Sequence, residues 1–141
     1  MDRRTYLKGA GMLSMTVVGG CVQPGATTQG EYDVGMGGTY FTPQKLTVTP
    51  DTTVVWKNTN SRSHTVTAVE SGIPEGADYF ASGGFESEEK AVDAYMQELK
   101  GRIITGETYS HTFSIPGTYN YYCIPHRAAG MVGQIVVSKE S

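Results

Sequence analysis

Three metal-donor side chains stand in one short loop, and that limits what the chain can become. Residues 121–131 read YYCIPHRAAGM and place a thiol, an imidazole and a thioether, Cys123, His126 and Met131, within nine residues. Pro125 stiffens the loop because its ring fixes φ. Ala128, Ala129 and Gly130 let the chain curl back without side-chain bulk. A fourth donor, His64, lies far upstream at the start of a β-type run. The fold has to bring it to the loop.

The flanking sequence predicts strands. Residues 53–58 (TVVWKN) are β-branched and aromatic, 46–48 and 108–115 alternate, and 64–69, 118–123 and 131–137 read the same way. Tyr40 and Phe41 form an aromatic pair just before Pro43. Thr49-Pro50-Asp51-Thr52 and Pro116-Gly117 are turns. Eighteen glycines and only 18% charged residues suit a turn-rich chain, and 141 residues suit one core. Roughly six to eight short strands predict an all-β fold, an antiparallel Greek-key β-sandwich. Residues 71–106 have a different texture. Val92, Tyr95, Met96 and Leu99 fall at helical spacing, Ser87 can cap the start, and Lys100 and Gly101 suit the end. One short helix is expected there, its apolar stripe, Met96 included, packed on the body.

Residues 1–21 read as an export signal. Arg3-Arg4 and Lys8 precede an uncharged stretch over 9–20, too short and glycine-rich to match the roughly 20 apolar residues of a spanning helix. RRTYLK resembles a twin-arginine signal, and VVGGC resembles a lipoprotein boundary at which Cys21 would carry lipid. Residues 22–31 read as a flexible linker. Loss of the leader removes Arg3, Arg4, Lys8 and Asp2, leaving 8 basic and 13 acidic residues, net −5. No basic run suggests nucleic acid. A Cys21–Cys123 disulfide is the ordinary reading for an exported chain. A lipid on Cys21 instead leaves Cys123 alone, and metal ligation accounts for a lone thiol outside the cell.

Two imidazoles, a thiolate and a weak axial thioether are the donors of a blue-copper electron-transfer site. Zinc suits the set poorly, because a thioether is not among its usual ligands. His111, in YSHTFSI, has no donor neighbour and is expected not to be a ligand. Met36 is a weaker axial candidate than Met131, since it lacks the loop context. A copper oxidase or nitrite reductase needs further histidines, and only His111 would be spare, so no enzyme is expected.

YYCIPHRAAGMVGQIVV resembles the copper loop and last strand of plastocyanin-type cupredoxins, and C-x2-H-x4-M is their plastocyanin spacing. SHTVTA around His64 is similar to the same family. The twin-arginine start, the VGGC boundary and GGF before the helical excursion resemble halocyanins, small blue copper proteins of halophilic archaea. The resemblance runs from about residue 32 to 141. It implies a β-sandwich holding one copper ion, with His64, Cys123 and His126 equatorial and Met131 axial. Tyr119 would occupy a tyrosine corner, and Asn58 would steady the first ligand segment. Electrons would leave by the His126 edge near Pro125, Ala128 and Ala129. Tyr122, beside Cys123 and facing away from it, offers a second route, although an ordinary surface tyrosine is the simpler reading. The implied function is a small electron carrier, mobile or membrane-tethered, shuttling one electron between redox proteins of a respiratory or related chain. It would be a monomer at the outer face of the cell membrane, lipid-anchored at Cys21. The alternative is a copper carrier or store without redox duty. Residues 71–106 depart from the family's pattern, being longer and more helical than in plant plastocyanin.

Overall fold

Alternation in TTVVWKN places the centre of the structure. In β4 (Thr52–Asn58) the residues Val54, Trp56 and Asn58 are buried, and the intervening side chains are more exposed. The computed structural model describes residues 31–139. The leader, Cys21 and the linker up to residue 30 lie outside the described residues. β4 pairs antiparallel with β6 (Thr108–Phe113), in register from Thr52 against Phe113 to Lys57 against Thr108. On its other side it meets β1 (Val34–Met36), which also pairs with β2 (Phe41–Thr42). The second sheet is built around β7 (Gly117–Tyr122) and β8 (Val132–Val137), with β3 (Lys45–Val48) outside β8 and β5 (Thr67–Ala68) outside β7.

The expected sandwich is present, but its sheets are mixed rather than purely antiparallel. β1 runs parallel to β4, and β3 runs parallel to β8. Parallel neighbours cannot be joined by a tight hairpin. Here the chain leaves the first sheet after β2, gives β3 to the second, and returns through the Thr49–Thr52 turn to β4. Each switch of sheet frees the next strand from hairpin geometry. A second difference concerns 64–69, expected as one strand. Only Thr67 and Ala68 join a ladder. The His64 main chain exchanges two hydrogen bonds with Ile103 instead, and Val66 N–H donates to Ser82 Oγ at 3.0 Å.

Aromatic side chains from both sheets meet in the core. Trp56 lies edge-on to Tyr121 with centroids 5.5 Å apart, Phe41 meets Tyr121 at 4.7 Å, and Phe113 meets Tyr119 at 4.9 Å. Gly133 stands opposite Tyr121 in the β7–β8 ladder, and a Cβ there would come within 2.5 Å of the tyrosine ring. Glycine is thus required for Tyr121 to lie across β8. Tyr119 donates its hydroxyl hydrogen to Ile115 O at 2.6 Å, the corner contact the resemblance implied.

Helix α1 (Glu88–Glu98) begins as the sequence predicts: Ser87 Oγ accepts from Lys90 N–H at 3.2 Å. Its packing does not follow the expected stripe. Ala91 is its buried residue, while Met96 and Leu99 stand 69% and 47% exposed. The side facing the body instead carries Glu88, which reaches β7, together with Ala91 and the half-buried Tyr95. The helix ends at Leu99, whose φ of 58° is left-handed.

Candidate metal centre

Cys123 follows β7 directly, and its side chain is fully buried. The six-residue 3-10 segment Ile124–Ala129 comes next, with Pro125 in its first turn. Gly130 closes it at φ 87°, a conformation open to glycine and strained for other residues. That reversal sends Met131 back beneath the loop. Met131 N–H donates to His126 O at 3.2 Å, and Cys123 N–H donates to Met131 O at 3.0 Å. Met131 is fully buried just before β8, and these bonds tie its main chain to those of Cys123 and His126.

His64 reaches the same place from the other side. Its bridge to Ile103 holds the backbone, and Asn58 holds the loop before it. Asn58 donates to Arg62 O at 2.6 Å and Ile103 O at 2.8 Å, and its Oδ1 accepts from Asn60 N–H at 2.8 Å. His64 Nδ1 lies 3.6 Å from Cys123 Sγ, and His126 Nδ1 lies 3.5 Å from it. The donor atoms of His64, Cys123 and His126 are all within 4.8 Å of one another. Among the described residues these three form the one such group of histidine, cysteine and carboxylate donors. His111 stands apart from it, stacked on Phe80 at 4.8 Å and edge-on to Phe113 at 4.7 Å. Met36 is buried on β1, next to the Asn58 loop rather than in the 123–131 turn.

Thr65 is a residue the sequence reading missed. Its N–H points at Cys123 Sγ from 3.4 Å, and its Oγ1 accepts from Ile124 N–H at 2.8 Å. It therefore fixes the sulfur and the start of the loop at once. Its position beside His64 was the available signal, but a threonine in a β run suggests no such role.

The electrostatics favour neutral imidazoles. Burial pushes His64 down to about 4, with the His126 ring and the Arg62 guanidinium acting in the same direction. Burial and Arg62 also lower His126. Burial raises the Cys123 thiol, while the Thr65 N–H opposes that rise. At neutral pH both nitrogen donors thus have free lone pairs, and the sulfur must lose its proton to bind a cation. The group suits a metal that accepts both nitrogen and soft sulfur donors, which is the preference of copper.

Tyr122 is not the surface residue of the simpler reading. It is 2% exposed, its hydroxyl donates to Glu88 Oε2 at 2.8 Å, and the Arg127 guanidinium lies 4.1 Å from its ring centre. Pro125, Ala128 and Ala129 are exposed, and His126 beside them is half-buried.

Comparison with known proteins agrees with this geometry. The family model described as copper binding proteins, plastocyanin/azurin family, matches residues 28–138. The chain is 32% identical over 138 residues to chloroplastic plastocyanin of Oryza sativa subsp. indica, covering 96% of this chain and 80% of that one. It is 38% identical over 102 residues to plastocyanin of Vicia faba, covering 72% of this chain and 91% of that one. Among solved structures, an oxidised amicyanin mutant is similar with a TM-score of 0.55 and 26% identity, over 79% of this chain and 86% of that one.

Proposed function

This chain belongs to the plastocyanin/azurin family of copper-binding proteins, and on that premise we propose that it carries single electrons through one copper ion. The observation that carries the reading is the convergence of two neutral imidazoles and a buried thiol within 4.8 Å. His64, Cys123 and His126 would hold the ion, with Met131 as the weak axial donor. Copper bound there supplies a Cu(I)/Cu(II) couple.

The chain's own residues keep the donors where they are in both redox states. Asn58 and the Ile103 bridge fix His64, the Thr65 N–H stays on the sulfur, and the Gly130 reversal holds Met131 against Cys123 and His126. Donors held by main-chain bonds need little rearrangement when the charge changes. The half-buried His126, framed by exposed Pro125, Ala128 and Ala129, gives a small apolar face for brief docking. A copper carrier or store would need donors that open to release the ion, whereas His64 and Cys123 are buried and held by main-chain bonds. An oxidase would need a second set of histidines, and His111 is committed to Phe80 and Phe113.

The reading extends to the whole chain. It takes the protein as a halocyanin-like monomer, exported and tethered through lipid on Cys21, serving redox proteins of a respiratory or related chain. The twin-arginine-like start and the VGGC boundary support it. Among the described residues no helix is long and apolar enough to cross a membrane. Replacement of Cys21 by Ser should move the protein from the membrane fraction to the soluble one; continued sedimentation with membranes would remove the lipid anchor.

The central test is optical. One equivalent of Cu(II) should give an intense blue band that bleaches with a mild reductant and returns on reoxidation, and Cys123→Ser should abolish it. A pale product from the wild-type chain would favour the carrier or storage reading.

A further inference from the structure

Residues 71–106 have no part in the donor set, yet they lie against it. The contact begins at Glu88, the first residue of α1. Its carboxylate accepts from the Tyr122 hydroxyl at 2.8 Å through one oxygen, and the other oxygen accepts from Glu70 N–H at 2.9 Å. Glu88 N–H in turn donates to Glu70 Oε1 at 3.1 Å, so the helix start is pinned from both sides. Ala91, one turn on, is buried. Arg127, immediately after His126, lies over the phenol ring, its guanidinium 4.1 Å from the ring centre. Tyr122 is the residue before Cys123, and it is left 2% exposed.

An electron leaving the copper centre has two short covalent ways out. One runs through the His126 ring, the other through Cys123 into the adjacent Tyr122. Tunnelling falls steeply with distance, so a route serves only where a partner can come close to its end. The His126 end is open, between exposed Pro125, Ala128 and Ala129. The Tyr122 end is held between a carboxylate and a guanidinium. A cleft of about 500 Å3 runs over β7 and β8 toward Tyr122, but Arg127 is one of its lining residues and lies on the ring.

We propose that the 71–106 excursion is a cover, clamped through Glu88, that closes the Tyr122 flank and leaves the His126 edge as the single gate for electrons. Glu88 and Arg127 are then specificity residues. They decide where a partner can exchange, without touching the metal. The partner this arrangement fits presents its redox group to a small apolar face, and it gains nothing from docking on the acidic start of α1. The proposal rests on the one-electron reading above.

The test uses the copper-loaded protein, reduced, and two small one-electron oxidants of opposite charge. Hexacyanoferrate(III) and tris(phenanthroline)cobalt(III) each take one electron from the reduced protein, becoming iron(II) and cobalt(II), and the return of the blue band gives the rate by stopped flow. Ala128→Gln crowds the exposed edge and should slow both oxidants by roughly tenfold or more. Tyr122→Phe keeps the ring but gives up the hydroxyl that Glu88 holds; with the His126 edge still open, neither rate should fall by more than about twofold at an unchanged reduction potential. In a Glu88→Ala background, Ala128→Gln should be slowed less by the cobalt reagent than in the native background, because the flank is then uncovered. Slowing of either reagent by Tyr122→Phe, or full rates in Ala128→Gln, would overturn the single gate. Equal rates for Ala128→Gln with and without Glu88 would overturn the role of the helix. A wild-type protein with no blue band would remove the one-electron reading itself, whereas a blue protein slowed by Tyr122→Phe would remove the cover alone.

Discussion

Asn58 is fully buried, and its side-chain amide donates to the main-chain carbonyls of Arg62 and Ile103. Alanine there would free the half-buried Asn60 N–H and the Arg62 carbonyl, and would leave the Ile103 carbonyl with only its bond from His64 N–H. Each unmade bond of that kind costs about 1–3 kcal/mol, and relaxation of the loop recovers part of it. Asn58→Ala should therefore lower the unfolding free energy of the copper-free domain by about 1–2 kcal/mol, read from urea midpoints. A change under about 0.5 kcal/mol would mean that Asn58 does not hold the His64 loop. His111 makes a different prediction. Burial lowers its pKa, Asp78 opposes that only in part, and its ring stacks on Phe80. The fold thus favours the neutral ring, whereas the unfolded chain takes up a proton near pH 6.5. Its contribution is complete above that pH and is lost as the pH falls below it toward the folded value. Phenylalanine fits the same stack and cannot titrate, so His111→Phe should flatten the fall of stability below pH 6.5 in the copper-free domain. An unchanged slope would mean that the imidazole is not protonated differently in the two states.

At the scale of the element, α1 shows what periodicity can and cannot convey. Ser87 was legible as a cap because the signal is local: a hydroxyl and a free N–H three residues apart. Ser87→Ala should cost about 1 kcal/mol. The buried face was not legible, because spacing identifies a stripe but not the surface that receives it. Hydrogen bonds through Glu88 to Tyr122 and Glu70 set the helix rotation, and the apolar Met96 and Leu99 point outward as a result. Leu99 also closes the helix in a left-handed conformation that costs a side-chain residue about 1–2 kcal/mol. Since Leu99 is half exposed, Leu99→Gly loses little burial and should raise stability by about 0.5–1 kcal/mol in urea melts. A loss would mean that Leu99 makes contacts its exposure hides. The site divides in the same way. Cys123 and His126 were legible as a pair because one loop carries them at a fixed spacing, and His64 because histidine is scarce in this chain. Thr65 and Arg127 act through a backbone N–H and a stacked guanidinium, which leave no mark on residue type. The mixed sheets were hidden for a topological reason: a strand's pattern reports its two faces, not the direction of its neighbour.

For the whole molecule the question is whether the metal makes the fold or occupies one already made. The bonds that place the donors pass through the main chain: Ile103 to His64, Thr65 to Cys123 Sγ, Ile124 to Thr65, and Met131 to Cys123 and His126. Behind them the two sheets share the aromatic layer of Trp56, Phe41, Phe113, Tyr119 and Tyr121. None of these contacts requires an ion. Small metallo-domains that lack a core unfold without their metal, but a chain of this size buries enough apolar surface to stand alone. Removal of copper should therefore leave the far-ultraviolet circular dichroism and the Trp56 fluorescence close to those of the loaded protein. Stability should still fall, because copper binds the folded state and adds RT ln(1 + [Cu]/Kd), about 2.7 kcal/mol at a hundredfold excess over Kd. The urea midpoint should accordingly rise with free copper concentration while the slope of the transition stays fixed, since the surface exposed on unfolding is the same. Cys123→Ser should keep the copper-free midpoint near that of wild type and lose most of this copper dependence. A collapse of the β signal on copper removal would mean instead that the ion assembles the 123–131 loop, and that the order of the donors follows from metal rather than from the sheets that carry them.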